Sequence, residues 1–195
     1  MIAKNLDDDY DNLRQDCWND ALHSFGTAYI YSKRSQKIGK FLKVNNFLGI
    51  IVPVIIGGIV TSYNISADVL EIILILAAPI SIIQLILSVL SLTNKWDDSY
   101  SYYLESTNDN SQLSNDYNNL GRYPPEEKND FKGKKDIIDV KYQIRNTNDS
   151  KYPLFDKEKR EGMRYSLRNF RRSCAGCDIK PVDMKSTNCG VCGDF

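Results

Sequence analysis

Residues 44–93 read VNNFLGIIVPVIIGGIVTSYNISADVLEIILILAAPISIIQLILSVLSLT, and this stretch decides the fold. No charged side chain stands between Val44 and Ala67; Asp68 and Glu71 interrupt; none follows from Ile72 to Asn94. An α-helix rises 1.5 Å per residue, so about 30 Å of hydrocarbon takes roughly 20 residues to cross. The run from Ile72 has that length alone. The first run has its apolar core in Phe47 to Val60 and reaches that length only with Val44, Asn45 and Asn46 at one interface and Thr61 to Tyr63 at the other. The polar link SYNISAD is long enough only to turn the chain round. The stretch reads as two membrane helices in a tight hairpin. A buried helical hairpin in a soluble core is the competing reading, disfavoured because uncharged runs of this length are uncommon in soluble domains.

Outward from the hairpin, charge is unevenly placed. Net charge is zero, yet residues 1–20 hold six Asp against Lys4 and Arg14, and residues 33–43 hold Lys33, Arg34, Lys37, Lys40 and Lys43 with no acid. Lys95 follows the second run, and the link between the runs has neither Lys nor Arg. By the positive-inside rule both termini lie in the cytoplasm and the link outside. The same basic collar suits anionic lipid headgroups, so the bilayer itself is a partner. Trp96 and Tyr63 fall at interfaces, where amphipathic rings settle. Asn64-Ile65-Ser66 is formally a glycosylation acceptor but lies against the membrane. The mean hydropathy of −0.39 is set by the polar flanks and does not count against the hairpin.

Residues 1–43 read as one helix running into the first span. Tyr10, Leu13, Cys17, Ala21, Phe25, Ala28, Tyr31, Ser35, Ile38 and Leu42 recur at steps of three and four, which keeps one stripe on one face. Cys17 sits on that stripe as a small buried residue. After Trp96 the spacing of Tyr100, Tyr103, Leu104, Leu113, Tyr117 and Leu120 predicts a second helix running back, ended by GRYPP at 121–125. Residues 126–150 are ambiguous: Ile138, Val140, Tyr142 and Ile144 alternate with polar residues as in a strand, but a lone strand has no partner sheet, so a helix is expected. Asp156 suits an N-cap. The following KEKREGMRYSLRNFRR puts Met163, Ser166, Leu167 and Phe170 on one face; its basic residues read as a solvated face, since no aromatic platform accompanies them for nucleic acid. The expected fold class is an all-α membrane protein: a cytoplasmic helix (1–43), a transmembrane hairpin (44–95), a cytoplasmic helical region with linkers (96–172) and a small zinc-ribbon-like module (173–195).

The last 22 residues read CAGCDIKPVDMKSTNCGVCGDF. Cys174 with Cys177, and Cys189 with Cys192, form two CxxC pairs separated by eleven residues. Each pair presents two thiolates from one tight knuckle, and Gly176, Gly190 and Gly193 relieve crowding around them. Four soft thiolates suit a tetrahedral, closed Zn²⁺ site, with a small hairpin from Pro181 in the spacer. A dithiol redox switch and an iron–sulfur site are the rivals. No signal peptide, dinucleotide fingerprint, phosphate loop, HExxH or nucleophile elbow is present, and the single His, His23, has no partner constellation. No catalytic residue is assigned and the chain reads as a non-enzyme.

The segment EKREGMRYSLRNFRRSCAGCDIKPVDMKSTNCGVCGDF resembles the C-terminal signature of a bacterial mobile-element family described by its spacing, CxxC, eleven residues, CxxC. The arrangement of a helix, two spans and a returning helix resembles SLATT proteins. That second resemblance implies a membrane effector in bacterial conflict such as phage defence, acting beside a nucleotide-signalling or conflict-system partner and forming a pore or perturbing the membrane as a homo-oligomer. In the second span Ala77, Ser81, Gln84, Ser88 and Ser91 fall on one stripe; in the first, Gly49, Pro53 and Gly57 form a small face. Two readings of these faces stand: they pack on each other within one chain, or the Gln84 stripe meets other copies and lines a water-filled path. The alternative function is a membrane-tethered zinc-knuckle adaptor that recruits protein or nucleic acid, with the hairpin only an anchor.

Overall fold

The computed structural model describes residues 2–62 and 67–195, with the side chains in them other than those of residues 2–8, 60, 62 and 67. Five helices follow in order: α1 (Ile2–Ser62), α2 (Ala67–Thr93), α3 (Trp96–Arg122), α4 (Lys128–Asp149) and α5 (Asp156–Asn169). Among the described residues there is no strand, and residues 128–149 are helix as expected. Tyr63 and the Asn64-Ile65-Ser66 acceptor lie outside the described residues. The chain divides into two compact units: Met1–Lys33 with Tyr103–Phe195, and Arg34–Tyr102.

In the first unit α1 is the central element. Its stripe of Cys17, Ala21, Ala28 and Tyr31 is buried as the periodicity requires. Cys17 and Ala21 pack with Leu113, Tyr117 and Leu120 of α3 and Phe131 and Ile138 of α4. Burial pushes the Cys17 thiol up to about 11, so it behaves as a small apolar residue. The Ser114 hydroxyl donates to the Ala21 carbonyl at 2.7 Å, and Tyr117 to Asp139 at 2.7 Å. A second α1 face is also buried, through Leu22, Ser24 and Ile30. Leu22 packs with Leu167 of α5, and Tyr165 of α5 stacks on Tyr29 at 3.8 Å and Phe25 at 5.4 Å.

The α3 face differs from its apolar reading at one end. Leu104 is exposed, while Ser106 and Asn110 are buried. The cause is a buried polar cluster. Arg145 of α4 pairs with Asp149 at 3.0 Å, Glu105 at 2.9 Å and Asp109 at 2.8 Å. Asp149 also accepts hydrogen bonds from Ser106 at 2.8 Å and Asn110 at 3.0 Å. Small polar side chains stand here because a buried guanidinium and carboxylate need partners. At α5 the N-cap is Phe155, not Asp156: the Glu158 carboxylate accepts the Phe155 N–H at 2.9 Å, which fixes the helix start one residue earlier.

In the second unit two contacts join α1 and α2. Asn45 and Ser88 hydrogen-bond at 3.3 Å, and the Gln84 amide lies where a Cβ on Gly49 would come within 2.7 Å of Nε2. Phe41 lies against Trp96 with ring centroids 6.2 Å apart. Both apolar helices are long and apolar enough to cross a membrane; only 6% of the most apolar window is buried in α1 and none in α2. Phe47, Ile50, Leu85 and Leu92 all remain more than half exposed.

Backbone approach between α1 and α5 rests on two glycines. A Cβ on Gly162 would lie 2.7 Å from the Gly26 carbonyl oxygen, and one on Gly26 2.8 Å from that of Gly162. A Gly-to-Ala change in a helix ordinarily gains about 0.5–1 kcal/mol. Here the clash is with backbone, which no rotamer change relieves, and overpacking costs about 1–3 kcal/mol. Gly162→Ala is therefore expected to lower the thermal unfolding midpoint followed by circular dichroism. Gly133→Ala, where nothing lies within 4 Å of the added carbon, should leave it unchanged or raise it.

Candidate metal centre

The four C-terminal cysteines converge. Their Sγ atoms all lie within 4.8 Å of one another, and none is in a disulfide. Cys174 and Cys189 are 3.9 Å apart and Cys177 and Cys192 3.8 Å. A four-thiolate tetrahedron with metal–sulfur bonds of about 2.3 Å has edges of about 3.8 Å. The donor set therefore fits a metal ion held by Cys174, Cys177, Cys189 and Cys192, with no further ligand needed. Cys174 and Cys192 are buried and the other two half-buried. Such an ion, when bound, cross-links two chain segments and so supplies folding free energy to a piece too small for its own core.

The two knuckles are built alike. The Gly176 N–H points at Cys174 Sγ and the Val191 N–H at Cys189 Sγ, each at 3.4 Å. Each first cysteine also closes a turn: the Asp178 N–H bonds to the Cys174 carbonyl at 2.8 Å and the Gly193 N–H to that of Cys189 at 2.9 Å. The backbone amides of Cys192 and Val191 bring the Cys189 thiol down to about 6. Burial, and then the neighbouring sulfurs, push Cys192 up.

The expected glycine roles are corrected in part. Gly176 is required by Val191, whose Cγ2 would lie 2.7 Å from an added Cβ, with the Cys189 sulfur further off at 3.5 Å. Gly193 is required by the Thr187 carbonyl, 2.3 Å from such a carbon. Gly190 has open space. The spacer also forms no hairpin, so the module is two knuckles without the strands of a ribbon. Pro181 removes one donor, and the surrounding amides turn to other partners: Cys174 N–H to the Ile179 carbonyl, Asp194 N–H to that of Thr187.

Arg164 is the supporting residue that the sequence did not single out. Buried on α5, it donates to the Asp183 carbonyl at 2.9 Å, the Asp183 carboxylate at 3.0 Å and the Cys192 carbonyl at 3.5 Å. The Lys185 amide and Arg164 together hold Asp183 below the usual carboxylate range. Leu22, Met163, Leu167 and Phe170 pack against the cysteine cluster. One arginine among many in a basic helix carries no periodic signal, so only its neighbourhood reveals it.

A family model described as the mobilome CxxCx(11)CxxC protein matches residues 14–195, nearly the whole chain, and the cysteines fit its motif. The chain belongs to this family. No curated protein and no solved structure matches the chain.

The remaining sequence-predicted residues are scattered. Gly49, Ala77, Gln84 and Ser88 are half-buried and Ser91 is buried, whereas Pro53, Gly57 and Ser81 are exposed and Gly57 has nothing within 4 Å. The covered face of α1 continues instead through Val52, Ile56 and Ile59. Of the basic collar, Lys33 pairs with Glu161; Lys37, Lys40, Lys43 and Lys95 are exposed and Arg34 is half-buried. His23 is exposed at the edge of a cleft of about 680 Å³ that also reaches Gly190 and Val191. The cleft's charged groups are taken: Lys159 pairs with Asp156, Arg160 with Asp194 and Asp149 with Arg145.

Metal analysis of purified protein should give about one ion per chain, lost in Cys189→Ser and retained in Cys17→Ala. Gly193→Ala should lower metal retention against a chelator, and Gly190→Ala should not. Arg164→Ala, which removes the brace behind Cys192, should weaken retention by about 10–100-fold. Because thiols lose protons on binding, retention should fall as pH falls.

Proposed function

We propose that this mobilome protein is a membrane-anchored effector of a bacterial conflict or mobile-element system. In this reading α1 and α2 cross the inner membrane as an antiparallel hairpin with both termini cytoplasmic. The four cysteines hold a structural Zn²⁺, and copies assemble to perturb the membrane or form a pore. The observation that carries the membrane part is exposure. Helices this apolar in a soluble protein are core helices, yet Leu92 is 77% and Ile50 67% exposed. Covering such surface with lipid removes the cost of leaving it in water, about 25 cal/mol per Å². The Asn45–Ser88 and Gly49–Gln84 contacts support the antiparallel register, since the paired numbers fall on one helix as they rise on the other. An all-sulfur tetrahedral set with no position left open supports zinc in a structural role. The paired charges of the cleft support a function other than catalysis.

A tethered adaptor is the second reading, and one observation favours it. Gln84 lies against Gly49 of its own chain, so the polar stripe is used in intrachain packing, worth on the order of 1 kcal/mol. An anchor needs nothing more.

Alkaline carbonate should fail to extract the protein from membranes, and reporters fused at residues 1 and 195 should both read cytoplasmic. Extraction, or reporters on opposite sides, would refute the hairpin. Purified protein in liposomes should conduct ions if it is an effector that opens the membrane. Conductance absent under every condition of pH and metal tested would leave the adaptor reading in place. Zinc, rather than iron, should be the metal found by elemental analysis.

A further inference from the structure

The outer face of α4 carries an apolar stripe that the described residues leave exposed. The inner face repeats at steps of four and three through Phe131, Lys135, Ile138, Tyr142, Arg145 and Asp149, the residues that meet the core and the polar cluster. Two positions further on, about 200° round the helix, a second series runs Gly133, Ile137, Val140, Ile144, Thr147. A helix face pointing away from its core is ordinarily polar. Here Ile137 is 61%, Val140 55% and Ile144 59% exposed. Steps of four, three, four and three are those of a coiled-coil seam, not of scattered surface residues.

We propose that this stripe pairs with the same stripe of a second copy, as a short parallel two-helix seam. The inference rests on the assembling-effector reading and names the surface that reading lacks. Self-pairing is favoured over another occupant by the charges beside the stripe. With Ile137 and Ile144 in the first core position of each repeat and Gly133, Val140 and Thr147 in the fourth, Asp136 precedes one core position and Lys141 follows the other. In a parallel pair these are the positions that meet across the seam, so Asp136 faces Lys141 of the partner copy, twice by symmetry. An antiparallel pair would bring Lys134 and Lys141 flanks against each other. Lys141 lies 3.8 Å from Asp116 of its own chain, an exposed contact that yields to a second partner at little cost. The seam spans only about two repeats and is marginal in free solution. Chains confined to one bilayer meet at raised effective concentration.

The test is photo-crosslinking of the full chain in membranes, with a benzophenone amino acid at Val140 and, as control, at Asn146, which is exposed on another face. A band at twice the chain mass is expected from Val140 and not from Asn146. Ile137→Lys with Ile144→Lys should remove it at unchanged metal content. Asp136→Lys should reduce it on the order of tenfold, since two ion pairs become two repulsions, and adding Lys141→Asp should restore it. No dimer band from Val140, equal bands from both probes, capture of a different protein, or no rescue by the double reversal would each overturn the proposal. Amine-reactive crosslinking in the same membranes, which reads assembly through any surface, separates the two failures. Oligomers without a Val140 band would overturn this surface and leave assembly standing, whereas monomers throughout would overturn both.

Discussion

Two glycines facing each other, Gly26 on α1 and Gly162 on α5, set how near those helices lie, and most of the cysteine module depends on that distance. With backbones in contact, Tyr165 reaches the rings of Phe25 and Tyr29, and Leu167 reaches Leu22. On the same helix Arg164, two residues beyond Gly162, is then positioned to brace Asp183 and the Cys192 carbonyl. The module has little apolar material of its own. It borrows a floor from α5 and α1, and beyond that it has four converging sulfurs placed to hold a metal ion. Three contributions of different kinds therefore converge on 22 residues: close helix packing, one buried guanidinium and a four-sulfur cluster.

Much of this was legible because the signals were simple. The cysteine spacing declares its chemistry without knowledge of the fold. The α1 stripe is periodic, and the uncharged runs are long. Where the signal was ambiguous or misleading, two physical demands overlapped on one segment. In α4 an inner stripe of Phe131, Ile138 and Tyr142 and an outer stripe of Ile137, Val140 and Ile144 interleave, so apolar residues fall at every second position from 138 to 144 and imitate a strand in what is a helix, as expected. On α3, Ser106 and Asn110 look like helix-weakening polar residues, yet they are there to satisfy Asp149. Glycine is harder still: Gly190 and Gly193 stand three apart in one knuckle, and only Gly193 faces a carbonyl. Which glycine is required depends on what approaches it from elsewhere in the chain.

The small-residue faces of the apolar helices show the same limit. Gly49 and Gln84 do meet, and Ser88 finds Asn45, so the idea that amides and small residues seek each other holds locally. Pro53 and Gly57 lie on a line drawn by spacing alone and do not join the contact. A helix turns 3.6 residues per turn, so steps of four drift steadily off the covered face. Asn45, Gly49, Val52, Ile56 and Ile59, which mix threes and fours, stay on it.

The division of the chain has a bearing on how it is made. The first unit takes Met1–Lys33 from one end of the chain and Tyr103–Phe195 from the other. Cys17, Ala21 and Tyr31 leave the ribosome long before Leu113, Phe131 or Leu167, the residues that cover them, have been synthesised. At translation rates of about 5–20 residues per second, the remaining 162 residues (195 less 33) take roughly 10–30 s. Through that interval the apolar stripe of α1 waits without its partners while the apolar second half of α1 and then α2 emerge behind it. The six aspartates of the first 20 residues, several of them on the same helix as the waiting stripe, give that nascent segment a charge that opposes clustering with its own kind until the last cysteine has arrived.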